Sequence, residues 1–168
     1  MTMEFAALRA IHLLGGLVWA GFAIFLGAYL LPAFKEAGPG AAGPVMAAVM
    51  KRRFVLVMNL AGFASVLSGI RLYMLVFSSA WLTTPGGLCL TAGAVLGLGG
   101  MVIGSVVSRP TSVKIAALQA AIAAQGGKPT PEQVAEMPKL SAKMGRAGTL
   151  VAWHLGGAAA LMAFSKVL

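Results

Sequence analysis

The chain has 168 residues, of which 59% are hydrophobic and only 10% are charged, and its mean hydropathy is +0.89. Because soluble domains carry about 25% charged residues, this composition excludes a water-soluble globular domain and favours the lipid bilayer as the solvent. The net charge of +9 does not indicate nucleic-acid binding, since no segment interleaves basic residues with base-stacking aromatic residues.

The first predicted membrane span runs from about residue 10 to residue 31. Its apolar stretch is longer than the roughly 7–15 residues of a signal-peptide core. Glu4 beside Arg9 also leaves the N-terminal region without a clear positive charge, so we expect a retained helix. The segment from Gly38 to Pro44 is predicted to be a loop from its glycine and proline content, with a short helix after it that ends near Met50.

The second and third spans follow in quick succession. Lys51-Arg52-Arg53 marks the membrane edge before the second span at about 54–77, and a short loop over 78–87 leads to the third span at about 88–107. The third span has glycines at small-xxx-small spacing, which lets helix backbones approach closely in lipid. These glycines are Gly93, Gly97, Gly100 and Gly104.

A long connection at about 110–145 is predicted to form a helical hairpin on the membrane surface. Arg109-Pro110 is expected to end the third span, and Gly126-Gly127 to break the hairpin into two helices. Thr130-Pro131-Glu132-Gln133 has the pattern of a capping box with proline at the first helical position. Pro138 is expected to interrupt or kink the second helix of the hairpin.

The predicted fold class is therefore all-α: an integral membrane four-helix up-down bundle, in one domain that covers residues 1–168 and ends with a span at about 147–165. Ten of the thirteen Lys and Arg residues lie in the first and third connections. By the positive-inside rule both connections face the cytoplasm, and both termini face outward. We expect a multi-pass protein of the inner (plasma) membrane.

Few residues within the spans can carry chemistry. No carboxylate lies in a span, which argues against paired-carboxylate catalysis and proton relays. Ionisable residues inside spans are rare and suggest function, and the candidates are His12, His154 and Arg71. Histidine is a common axial ligand of haem iron. Arg71 lies near the outer surface at the level of His12, where it can pair with a haem propionate.

Small residues accompany both histidines at helical spacing. The shared faces are His12 with Gly15, Gly16 and Trp19, and His154 with Gly157. Small residues beside a histidine give a porphyrin room to reach the imidazole nitrogen. The alternative is that each histidine hydrogen-bonds across helices and each glycine serves helix packing.

The two histidines are predicted to lie at different depths in the membrane. His12 is near one end of the first span, whereas His154 is near the midpoint of the fourth, a difference of roughly 10–15 Å at the rise of an α-helix. One haem with both as axial ligands requires nearly equal depth. The histidines therefore serve different sites, pair across a dimer, or include only one ligand.

Several motifs in the first half of the chain resemble known membrane proteins. In chain order they are Arg9-Ala10-Ile11-His12, Trp19-Ala20-Gly21, Leu31-Pro32-Ala33-Phe34, Met50-Lys51-Arg52-Arg53, Ser68-Gly69-Ile70-Arg71-Leu72 and Trp81-Leu82. These motifs resemble HemJ-type protoporphyrinogen oxidases and are similar to CopD-like copper-resistance membrane proteins. The resemblance implies a four-helix membrane bundle and, in the HemJ branch, b-type haem with His12 as a ligand. The HemJ pattern has a lysine shortly after the Trp-Leu pair, and residues 83–90 contain none.

The leading hypothesis is a haem b-binding membrane protein that acts in electron transfer or as a redox enzyme. The alternatives are a cofactor-free accessory or structural subunit of a membrane complex, and a copper or small-solute transporter. The expected partners are the lipid bilayer and either a second copy of the chain or a larger membrane complex.

Overall fold

The structure, a computed structural model, describes residues 2–38, 41–165 and 167. It confirms the all-α class, because helices make up 89% of the chain and no strand occurs among these residues. In chain order the helices are α1 (Met3–Ile24), α2 (Leu31–Glu36), α3 (Ala42–Lys51), α4 (Phe54–Val76), α5 (Ser79–Leu82), α6 (Pro85–Ile103), α7 (Arg109–Ala124) and α8 (Pro131–Phe164). Two π-helical segments, Phe25–Leu30 and Gly104–Ser108, join α1 to α2 and α6 to α7.

Four continuous helical stretches are long and apolar enough to cross a membrane, as the sequence predicts. They are Met3–Glu36, Phe54–Val76, Pro85–Ala124 and Pro131–Phe164. The second matches its predicted span to within a residue, whereas the other three extend well beyond theirs. Exposed leucine, valine and phenylalanine side chains cover their outer faces, which suits a surface in contact with lipid.

The helix of the third span does not end at Arg109-Pro110 but continues through these residues into α7. In each π segment the last backbone hydrogen bond is donated by the residue directly before a proline: the Leu31 N–H donates to the Leu26 carbonyl, and the Arg109 N–H donates to the Gly104 carbonyl. A π turn carries one extra residue per turn and widens the backbone. This widening relieves the clash that a proline ring makes with the carbonyl four residues earlier, so the helix passes Pro32 and Pro110.

The hairpin is present, but it extends α6 and α8 instead of lying apart from them. Its turn contains Gly126 and Gly127 with φ of 76° and 80°, as the two glycines predict. Of the two outcomes expected at Pro138, an interruption does not occur, because α8 continues through it. Pro138 is exposed, so water can bond the backbone carbonyl that it leaves without a partner, while Leu140 in the next turn is buried and anchors the helix.

The first connection, which runs from the end of α2 at Glu36 to the start of α4 at Phe54, contains the predicted short helix as α3. The predicted loop from Gly38 to Pro44 includes Pro39 and Gly40, which lie outside the described residues, and its last three residues are helical instead, because α3 begins at Ala42. The loop over 78–87 contains the single-turn helix α5, and Thr84 caps the start of α6 through a hydrogen bond from the Gly87 N–H.

The helices pack as two close antiparallel pairs, α1 with α4 and α6 with α8. Within the second pair, a Cβ on Gly93 would lie 3.1 Å from the Ala158 carbonyl oxygen. The pairs meet where the first π segment crosses α8, at Gly27 and Gly148. A Cβ on Gly27 would collide with the Gly148 carbonyl, so the two backbones touch directly. We call the end of the bundle that carries α3 and the α7–α8 turn the hairpin end.

Gly27→Ala should destabilise the fold, because its methyl group has no room against Gly148 and overpacking costs about 1–3 kcal/mol. Gly21→Ala is the matched control, since nothing lies within 4 Å of a Cβ at Gly21 and alanine is the better helix former. Thermal unfolding in detergent should show a lower midpoint for Gly27→Ala alone. Equal midpoints for the two variants would contradict the close contact.

The capping box at the start of α8 is confirmed: the Thr130 hydroxyl accepts from the Gln133 N–H, and the Gln133 side chain accepts from the Thr130 N–H. A hydrogen bond from its own backbone N–H, followed by one from Thr130, lowers the pKa of Glu132 below 4.5. The stabilisation from the Glu132 carboxylate is therefore present above its ordinary pKa and is lost as pH falls through the lowered value.

Thr130→Ala should cost the first turn of α8 about 1 kcal/mol by removing the cap. Hydrogen–deuterium exchange should show faster exchange at residues 131–135 and no change in the α6–α8 contact region. Thr149→Ala is the control, because Thr149 is exposed inside α8 and bonds only the carbonyl of Gly145. Exchange in the first turn that stays slow in Thr130→Ala would show that the cap has no role.

Candidate functional site

His12 lies in the contact between α1 and α4. Its Nδ1 is 2.8 Å from the Ser65 carbonyl oxygen, and the Ser65 hydroxyl donates to the His12 carbonyl at 3.2 Å. The ring rests on Gly69, where a Cβ would lie 2.8 Å from Cε1. A carbonyl oxygen only accepts hydrogen bonds, so Nδ1 carries the proton and the lone pair of a neutral ring is on Nε2.

The residues on the His12 face pack against α4. A Cβ on Gly15 would lie 2.8 Å from the Ala61 carbonyl oxygen, and one on Gly16 would lie 3.2 Å from the Ser65 hydroxyl oxygen. The Trp19 ring covers Gly62, 3.3 Å from the position of a Cβ there. The clearance that the sequence analysis assigned to a flat cofactor is therefore filled by α4.

His154 has a comparable setting between α8 and α6. Its Nδ1 is 2.8 Å from the Leu150 carbonyl oxygen one turn earlier in its own helix. The ring rests on Gly99, where a Cβ would lie 2.8 Å from Cδ2 and 3.3 Å from Nε2. A Cβ on Gly157 would lie 3.0 Å from Cδ1 of Leu96, so the space beside Gly157 is also filled by helix packing.

The two histidine sites share three features. Each ring is half-buried, lies over a glycine of the neighbouring helix, and has Nδ1 bonded to a backbone carbonyl. Among the described residues neither Nε2 has a hydrogen-bond partner within the protein, and neither is sealed from its surroundings. An imidazole held in this way presents an oriented lone pair.

The structure does not bring the two histidines together. His12 contacts α4, whereas His154 contacts α6. With Gly27 and Gly148 at one level, His12 is fifteen residues from that level and His154 is six, a difference in depth of about 13 Å. The two imidazoles of one chain are therefore unable to bind opposite faces of one metal centre.

Arg71 has a partner that the sequence analysis did not identify. Its Nε donates to the Glu4 carboxylate at 2.9 Å, and a second guanidinium nitrogen lies 2.7 Å from the same oxygen. Both side chains are about half exposed, so this ion pair contributes little stability. It closes the end of the α1–α4 pair near His12, and it already neutralises the charge expected to meet a propionate.

Sequence reasoning also missed the residues of α4 that receive α1. Gly62, Ser65 and Gly69 follow one another at spacings of three and four, which places them on one helix face. This stripe of small residues was the available signal for a close helix contact. The chemistry at His12 depends on Ser65, whose carbonyl position follows only from the pairing of the two helices.

The described residues contain no group of three or more His, Cys, Asp or Glu side chains placed to share a metal ion. A site of the zinc type needs several such ligands on one ion. A single-histidine ligand to haem iron does not, because the porphyrin supplies the other ligands.

No family model, curated protein or solved structure matches the chain. The resemblance to HemJ-type and CopD-like proteins stays a prediction.

Both histidines should show the tautomer with the proton on Nδ1 when the ring is neutral, since each Nδ1 faces a carbonyl oxygen. Nitrogen-15 NMR of histidine-labelled protein in detergent measures this directly. Gly69→Ala should shift the His12 signals, because the methyl group would lie 2.8 Å from the ring. Gly97→Ala should leave them unchanged, and a proton on Nε2 in the wild type would contradict the assignment.

Proposed function

We propose that this chain is a multi-pass membrane protein that binds haem b, and that His12 and His154 would hold it at two separate sites. The observation that supports this is the bond from each Nδ1 to a backbone carbonyl oxygen at 2.8 Å. Histidines that ligate metals almost always donate their other N–H to a carbonyl, carboxylate or water, which orients the ring and increases its basicity. Bound haem b supplies one-electron redox chemistry.

The imidazole nitrogens are suitable ligands for haem iron, whereas the residues beside them contribute no contact that would hold a haem. Gly15, Gly16, Trp19 and Gly157 are occupied by helix contacts, and Arg71 is paired with Glu4. The proposal therefore rests on the two Nε2 atoms, which have no hydrogen-bond partner among the residues that the structure describes. Because the histidines of one chain lie about 13 Å apart in depth, each would hold a haem separately from the other.

The proposed orientation places the hairpin end in the cytoplasm and both termini outside. Ten of the thirteen Lys and Arg residues belong to the connections at the hairpin end. Positively charged connections are retained on the cytoplasmic side during insertion. In the inner (plasma) membrane this puts His12 near the outer surface and His154 closer to the middle.

Electron transfer is the role that this arrangement favours within the proposal. The shorter spans predicted from the sequence, at about 10–31, 54–77, 88–107 and 147–165, contain no carboxylate that would serve as a general acid or base, and Glu4, which lies outside them, is paired with Arg71. A redox enzyme would need proton-transferring groups beside its substrate, whereas an electron carrier needs only a ligated cofactor within reach of a partner.

Purified protein expressed with sufficient haem should show a Soret band and, after dithionite reduction, the α and β bands of b-type haem. With one ligand at each site, His12→Ala and His154→Ala should each remove about half of the bound haem, and the double variant nearly all of it. Asn59→Ala, a polar-to-apolar change at an exposed position of α4, is the control and should retain full absorbance.

A colourless preparation that unfolds cooperatively would overturn the haem proposal and favour a second function, an accessory subunit of a membrane complex. That function is supported by the His12–Ser65 hydrogen bonds and the glycine contacts, which use these residues as helix-packing groups. In that case His12→Ala should lower the thermal unfolding midpoint more than Asn59→Ala does.

A further inference from the structure

A groove of about 270 Å³ opens where α1, α3 and α4 meet at the hairpin end. It is lined by Phe22, Val49, Arg52, Phe54, Val57 and Met58. The rings of Phe22 and Phe54 meet edge to face with centroids 5.3 Å apart and join α1 to the start of α4. Five of the six lining side chains are apolar, so the groove suits a hydrocarbon and offers an anion a single partner.

The edge of the groove is strongly positive. Arg52 lines it, and Lys51 and Arg53 flank Arg52 in the sequence, all three with exposed side chains. Among the described residues the only ion pair joins Arg71 to Glu4, at the other end of the bundle, so no carboxylate neutralises this cluster. Three adjacent cations beside an apolar groove are complementary to a molecule with a negative head and a hydrocarbon tail.

The backbone at this point has an uncommon conformation. Arg53 has φ of 57° and ψ of 26°, which is the left-handed region, and it is the only non-glycine residue with positive φ among those described. This conformation separates α3 from α4 and turns the chain so that Val49 and Val57, from the two helices, line the same groove. A strained residue that persists at such a junction often marks a functional position.

We propose that the groove binds one acyl chain of an anionic phospholipid, and that Arg52 pairs with the lipid phosphate with support from Lys51 and Arg53. A free phosphate would leave the apolar part of the groove unused, and a neutral lipid would leave the cations unpaired. Basic pockets between transmembrane helices bind anionic head groups by the same combination of forces. The site is separate from both histidines, because Phe22 lies ten residues, or about 15 Å, along α1 from His12, and His154 packs against Gly99 of α6.

Native mass spectrometry of the detergent-purified full chain tests the head group. Phosphatidylglycerol should add one molecule per chain, and phosphatidylcholine with the same acyl chains should bind much more weakly. Arg52→Gln should lower phosphatidylglycerol occupancy about fivefold, and Lys51→Gln should also lower it. Lys114→Gln, which removes an exposed charge on α7 away from the groove, should leave occupancy unchanged. Equal binding of the two lipids, or equal effects of Arg52→Gln and Lys114→Gln, would overturn the proposal.

A second pair of variants tests the acyl chain. Val57→Trp should fill the groove and lower phosphatidylglycerol occupancy, whereas Leu60→Trp, at an exposed position of α4 outside the groove, should not. Glycerol phosphate, which has the head group without a chain, should not compete for the site. Only variants whose thermal unfolding midpoint, measured without lipid, equals that of the wild type are compared. Full occupancy in Val57→Trp, or displacement by glycerol phosphate, would show that the groove does not hold the chain.

Discussion

Direct contact between helix backbones at glycine is the constraint on which the rest of this structure depends. Lipid tails are as apolar as leucine side chains, so helices in a bilayer gain little from hydrophobic burial and associate mainly through close packing. The chain meets this requirement at Gly15 against Ala61, Gly27 against Gly148, and Gly93 against Ala158. These contacts decide which helices are neighbours and in what register.

The same contacts determine the chemistry at the histidines. Once α1 lies against α4, the His12 ring has a flat surface at Gly69 and a carbonyl acceptor at Ser65. His154 needs only its own helix for its acceptor, but Gly99 of α6 sets its ring position. A polar group in an apolar environment must be hydrogen-bonded, and for each ring this leaves Nε2 as the atom available to a ligand. Packing and any ligation therefore share the same residues.

Two features act together at the hairpin end. The π segments let α1 and α6 run on past Pro32 and Pro110, so the spans project beyond the region that their apolar residues cover. The left-handed residue Arg53 separates α3 from α4, and α4 then begins beside Phe22 of α1. Basic residues lie on both features: Lys35 and Lys114 are on the extended helices, and Lys51, Arg52 and Arg53 are at the α3–α4 junction, where the proposed lipid head group would lie.

The sequence by itself determined the solvent, the number of long helices and several of their ends. Its apolar fraction requires a bilayer, and caps such as the box at Thr130 act within one turn of helix, so local pattern is sufficient to predict them. The expectation that proline ends a helix was wrong at Pro110, and Pro138 does not interrupt α8, because a π turn or a solvated carbonyl removes the energetic cost that the expectation assumes. Only the tertiary structure decided that the glycines beside the histidines receive helices, that Arg71 meets Glu4, and that His12 and His154 belong to different helix pairs. Each of these features depends on the register between helices that are distant in the sequence. The residue pattern of one helix does not specify which face of another helix packs against it.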